Sequence, residues 1–321
     1  MGRSSNQGKV WAALVAIYLI WGSTYLAIRV AVHPTHGEGV PPLLLAGVRF
    51  TLAGVVMIAA TARRPAADGA PDPLGWRQWY AAAVIGIALP FGGNGLVTLA
   101  ERKVPSGITA VMISTIPIWA ALIAAAIGRE RMTGRHFVGL VLGFTGVGAM
   151  VIGTGSGRAS GAGILILVIA ALSWAAGTVW STNAPTPRRP LVTTGMEMLC
   201  GGIACLITAA ALGEFAQFHT DELTAHAWLA FAYLTVIGSL VAYSAYVWLL
   251  RNAQLSLVTT YAFVNPVVAV ILGSLILDEP FTIRTGIATC AVVVGVILTL
   301  TRGIQKPLPH AGDRAPDEVH V

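Results

Sequence analysis

Pro117–Arg135 reads PIWAALIAAAIGRERMTGR, and Pro266–Arg284 reads PVVAVILGSLILDEPFTIR. At a shift of 149 residues they match at Pro117/Pro266, Ala120/Ala269, Ile127/Ile276, Glu130/Glu279, Thr133/Thr282 and Arg135/Arg284. Apolar matches between two apolar runs say little. A Glu, a Thr and an Arg at identical spacing behind a proline say much more. Worked outward over residues 79–147, the same shift gives twelve identities in 69 ungapped positions, among them Trp79/Trp228, Arg102/Arg251 and Gly146/Gly295. The chain carries one pattern twice.

The surroundings of that pattern set the fold class. Of 321 residues, 55% are hydrophobic and 11% charged, where a soluble domain carries about 25% charged. Mean hydropathy is +0.74. This excludes an ordinary cytosolic enzyme, a disordered chain and a nucleic-acid binder. A helix needs about 20 apolar residues to cross a bilayer. Ten runs qualify as candidates: 10–32, 42–62, 79–98, 107–127, 137–154, 161–181, 191–212, 227–250, 257–277 and 285–300. They are apolar on every face, unlike the alternating strands of a membrane barrel. The first is too long for a signal-peptide core and reads as a retained helix. With the N-terminus inside, cytoplasmic segments hold fourteen Lys and Arg and external segments four. That places both termini in the cytoplasm.

The expected fold is therefore an all-α polytopic membrane protein of ten transmembrane helices. Five spans per copy is an odd number, so the second copy enters from the opposite side. Such inverted-topology repeats underlie alternating access in secondary transporters. Residues 1–155 form the first repeat (spans 1–5), 156–303 the second (spans 6–10), and 304–321 a disordered cytoplasmic tail.

Ionisable groups in the bilayer are costly unless paired or wetted. Arg49 and Glu197 lie within the second and seventh spans, at near-equivalent positions of the two copies. Glu101 lies just past the third span, in the same outer half as Arg49, and is its expected partner. The plainer reading of Arg49 is an interhelical clamp; the functional one is a carboxylate anchor or gate. Arg29 is near enough to the span end to reach water. Polar and aromatic residues recur at helical spacing: Trp21 and Tyr25; Asn94 and Thr98; Thr115 and Trp119; Trp174 and Thr178; Tyr243 and Tyr246; Tyr261 and Asn265. Any one of them serves packing as readily as binding. Six helices with such faces point to a central amphipathic cavity. Pro90, Pro117 and Pro266 interrupt spans three, four and nine, and free backbone carbonyls there.

Rival classes lack their residues. All seven histidines lie in loops, at span edges or in the tail, which leaves no intramembrane base or metal site. Cys200, Cys205 and Cys290 form no CxxC pair, so no metal or disulfide framework is expected. No P-loop marks a primary pump. No cofactor is implied.

Trp21–Tyr25 (WGSTY), Arg49-Phe50, the ERKVPSG of 101–107 and the YAFVNPVV of 261–268 resemble the EamA-type branch of the drug/metabolite transporter superfamily, its YedA-like bacterial members in particular. The resemblance covers roughly residues 10–302. It implies ten helices in two inverted repeats and a substrate cavity from spans 1, 3, 4, 6, 8 and 9. It also implies a bacterial cytoplasmic-membrane exporter of amino acids or related small metabolites. The partners expected are a small-molecule substrate and the lipid bilayer, with a homodimer among the oligomeric states left open. The alternatives are a broad-specificity drug or toxic-compound exporter and, in another class, a non-transporting scaffold or sensor.

Overall fold

A computed structural model describes residues 2–33, 39–62, 74–128, 134–153, 160–220, 223–253, 261–279 and 281–300. Glu130, Thr133 and the tail 304–321 lie outside the described residues. Among those described, the helices fall into ten consecutive rods. We label them α1 (Gly2–Val32), α2 (Pro42–Ala62), α3 (Trp76–Gly86, then Ile87–Gly95 and Leu96–Ala100), α4 (Ser106–Ile113 and Ile116–Ala126), α5 (Gly134–Gly153), α6 (Gly161–Ser181), α7 (Pro190–Ala211), α8 (Ala225–Ala232, Tyr233–Val241 and Ala242–Asn252), α9 (Tyr261–Ile276) and α10 (Ile283–Leu300).

Seven of these rods contain helices long and apolar enough to cross a membrane. Phe137–Gly146, Val264–Ile276 and Ile283–Leu298 are shorter apolar helices. The chain is thus an all-helical polytopic membrane protein. Its outward faces carry bare aliphatic side chains such as Ile169, Ile207 and Ile287, 47%, 66% and 66% exposed. That arrangement suits a hydrocarbon solvent, not water.

Equivalent elements of the two halves pack on each other. α2 lies along α7, and α5 along α10. At the first contact a Cβ added to Gly54 would stand 2.7 Å from the Gly195 carbonyl oxygen, and one on Gly202 would stand 2.6 Å from the Thr51 nitrogen. Only glycine lets the two backbones approach so closely. α3 and α8 share a second feature: each contains a nine-residue π-helical stretch, Ile87–Gly95 and Tyr233–Val241. Widening a helix to i→i+5 bonding is rare and concentrates at functional sites. In α3 the stretch contains Pro90, whose missing N–H and ring disfavour regular α-bonding. The prolines differ in effect. α4 breaks at Ser114–Thr115, just before Pro117, whereas α9 runs unbroken through Pro266.

Two helix N-termini are capped by carboxylates from elsewhere in the chain. Glu214 Oε2 accepts the Leu44 N–H of α2 at 2.8 Å. Burial, first, raises the carboxyl of Glu214, and that backbone bond works against the rise. Glu279 accepts from the N–H groups of Ser106 and Gly107 of α4 at 2.8 and 3.2 Å, and from the Ser106 hydroxyl at 3.0 Å. The first N–H groups of a helix have no intrahelical acceptor, so an anion there is doubly favoured.

Candidate functional site

A cavity of about 110 Å³ lies between α1, α2, α3, α4, α6, α8 and α9. By the same measure one water needs roughly 10–15 Å³, so there is room for several waters or one small solute. Its wall is built from irregular backbone. Gly93 and Asn94 come from the π stretch of α3, Ser114 and Pro117 from the break in α4, Gly238 from the π stretch of α8, and Pro266 from α9. Gly93 leaves room there for an indole. A Cβ at that position would stand 2.5 Å from the Trp174 ring, which forms the α6 wall.

One side of the cavity is an aromatic cluster. The Trp21 ring lies 5.3 Å from Tyr243, 5.2 Å from Tyr246 and 5.1 Å from Tyr261, centroid to centroid. The Tyr243 and Tyr261 contacts are edge-to-face, the favoured geometry for ring quadrupoles. Trp21 Nε1 donates to the Gly238 carbonyl at 3.3 Å, which fixes the indole against the π stretch.

Another side carries charge. Arg49 is 4% exposed. Its Nε donates to the Ser239 hydroxyl at 2.9 Å. Ser239 in turn donates to the Leu234 carbonyl, five residues back, at 3.0 Å. The π widening thus places the hydroxyl that holds the guanidinium. The guanidinium also stacks 4.3 Å over the Phe50 ring. Among the described residues no hydrogen bond involves its two Nη atoms and no carboxylate pairs with it. Asn265, 6% exposed, lines the same cavity, and its Oδ1 is buried without a hydrogen-bond partner.

Of the residues expected from the sequence, the structure brings Trp21, Tyr25, Arg49, Asn94, Pro117, Trp174, Tyr243, Tyr261, Asn265 and Pro266 to this cavity. Others lie off its wall. Thr98 is buried and donates to the Asn94 carbonyl at 2.8 Å. Thr178 is exposed and donates to the Trp174 carbonyl at 2.8 Å. Both hydroxyls are used by their own helices, a common fate of Thr in apolar helices. Trp119 packs edge-on against Phe144 of α5 at 4.8 Å. Tyr246 supports Trp21 and Tyr261 from behind. Pro90 is buried in the π stretch, and Glu197 is half-buried on α7.

The expected Arg49–Glu101 pair is not formed. Arg49 bonds Ser239. Glu101 is fully buried, with both carboxyl oxygens unpartnered. Arg29 is half-buried, and its Nη1 donates to the backbone carbonyl of Glu101. Thr24, Ser114 and Gly238 line the cavity and were not expected from the sequence. Thr24 sits within the WGSTY stretch, so helical spacing from Trp21 was a signal for it. Ser239, the partner of Arg49, reads as a small residue in an apolar run and gave none.

The EamA-like transporter family model matches residues 8–152 and 161–301. The uncharacterized inner membrane transporter YedA of Escherichia coli K12 is 36% identical over 296 residues, covering 90% of each chain. An uncharacterized transporter of Synechocystis sp. is 26% identical over 306 residues, 89% of this chain and 88% of that one. A solved crystal structure at 20% identity aligns with a TM-score of 0.58 over 92% of this chain and 96% of that chain, a likeness of fold. The chain belongs to the EamA-like transporter family. It is a membrane transporter and not an enzyme.

Proposed function

We propose that this EamA-family transporter exports amino acids or closely related zwitterions across the bacterial cytoplasmic membrane by alternating access. The architecture we propose is ten spans in two inverted repeats, residues 1–155 and 156–303, with both termini cytoplasmic. The excess of Lys and Arg in the cytoplasmic segments supports that orientation. The inner-membrane relative at 36% identity supports the location.

One observation carries the substrate class. The cavity is lined by Arg49, whose two Nη atoms have no hydrogen-bond partner among the described residues, and by Asn265, whose Oδ1 is buried without one. A carboxylate satisfies the first, bidentately and with charge assistance. An ammonium satisfies the second, with the faces of Trp21, Tyr243 and Tyr261 at hand for cation–π contact. One small molecule carrying both groups answers both needs. A lipophilic cation answers only the second and meets a fixed positive charge at Arg49, which weighs against a general drug exporter.

The test is mass spectrometry of the growth medium. Cells overproducing the protein are fed a mixed dipeptide supply and compared with a Trp21→Ala, Asn265→Ala strain. The reading predicts enhanced release of one or a few amino acids, lost in the double variant. Equal release across the whole amino-acid panel by the two strains would refute it.

A further inference from the structure

Glu101 is the most isolated acid among the described residues. It lies just beyond the last turn of α3, outside the span Trp76–Ala100. Its exposure is 0% and neither carboxyl oxygen has a hydrogen-bond partner. Glu279, at the same end of the bundle, is the opposite case, with donors from Ser106 and Gly107. Arg29 gives its Nη1 to the Glu101 backbone carbonyl and not to the carboxyl, so it offsets the burial only in part.

A buried carboxylate without donors is strongly disfavoured, and the neutral acid replaces it. Burial, first, and the charge of Glu279, second, push the Glu101 carboxyl well above the usual carboxylate range, against the weaker pull of Arg29 and Arg49. The groups that face it are Tyr25 and Arg29 from α1, Arg49 from α2 and Glu279 after α9. Arg102 and Lys103 follow it in the chain and are exposed. α6, packed against the last turn of α3, carries no charged residue. Glu101 is also tied to the cavity. Its N–H donates to the Val97 carbonyl at 3.0 Å, and Val97, Tyr25 and Ile28 line the cavity wall.

We propose that Glu101 is a proton-carrying residue of the transport cycle, protonated while this end of the bundle is packed as here and deprotonated when that end parts and admits water. The carboxyl O–H bond breaks, its electron pair stays on the carboxylate, and the proton passes to the entering water. Reclosure reverses the step. The packed form alone holds the proton tightly, so acid favours it, and it loses ground to the parted form as pH rises.

Two measurements on the full-length protein in liposomes test this, and neither uses a substrate, so their failure leaves the amino-acid reading standing. The first is infrared titration of the carbonyl stretch of protonated carboxylic acids. At neutral pH the band is expected in Glu197→Gln, which lacks the half-buried acid of α7, and is expected to lose intensity there when Glu101→Gln is added. No such band in Glu197→Gln, or a band left unchanged by adding Glu101→Gln, overturns the proposal. The second uses Val104→Cys, a position that is fully buried at this end, in a background with Cys200, Cys205 and Cys290 replaced by alanine. Labelling by a membrane-impermeant maleimide is read against the same protein carrying Glu101→Gln at each pH, which cancels the thiol's own titration. The ratio is expected to climb several-fold with pH. A flat ratio overturns the proposal.

Discussion

Arg49 of α2 and Ser239 of α8 are joined at 2.9 Å across the two halves of the chain, with the arginine Nε as donor. This bond fixes the guanidinium plane, leaves both Nη atoms without a described partner, and holds them at the cavity. It is also the point where backbone irregularity becomes chemistry. Without the π stretch Tyr233–Val241, Ser239 would not donate to Leu234 and would not stand under Arg49.

The first expectation follows directly. A hydrogen bond to a charged group is worth about 1.5–3 kcal/mol, or roughly 10–150-fold in affinity at 1.4 kcal/mol per tenfold. Arg49→Gln should lower substrate affinity within that range. Ser239→Ala should lower it less, because the charge remains and only its aim is relaxed. Binding of the proposed amino-acid substrate to purified variants checks both.

Gly93 is a steric prediction. Replacing it with valine puts a branched side chain where even a Cβ would meet the Trp174 ring at 2.5 Å. Transport should be lost. Gly93→Ala should retain part of it, since one ring can yield. Export assays with matched expression levels distinguish the two.

Residues off the cavity supply the opposite prediction. Thr178→Val removes a hydroxyl bonded only to its own helix. Affinity should change less than twofold, about 0.4 kcal/mol or less. A large loss on Thr178→Val, with Asn265→Ala silent, would relocate the binding site.

Glu279 should behave as a structural group. Loss of a helix N-cap costs about 1 kcal/mol, within a range of roughly 0.5–2. Glu279→Ala should lower the thermal unfolding temperature by a few degrees while leaving substrate affinity near that of the parent. Thermal unfolding in detergent, paired with a binding titration, measures the two separately.

The sequence made much of this legible, for reasons that can be named. Trp21, Asn94, Trp174 and Asn265 were visible because a polar or aromatic face in an apolar run must be buried against something. Glu279 was visible because its spacing repeats, and the α4 cap supplies a physical reason for the acid. Thr98 and Thr178 misled because spacing shows which face a hydroxyl is on, not whether its own helix has already engaged it. Glu101 and Arg49 misled because opposite charges in one half suggest a pair, while reach and competing acceptors decide it. Ser239 could not be read at all: its role depends on a π widening that has no hydrophobic signature.

The central claim is that the cavity reads both ends of a zwitterion. The most direct test is counterflow exchange in proteoliposomes with the amino acid identified from the growth medium. It is compared with its methyl ester, which lacks the carboxylate, and with the corresponding carboxylic acid, which lacks the ammonium. The account predicts exchange of the intact amino acid, at least tenfold weaker exchange of both analogues, and no preference between amino acid and ester in Arg49→Gln. Equal exchange of the amino acid and its ester by the parent protein would contradict it.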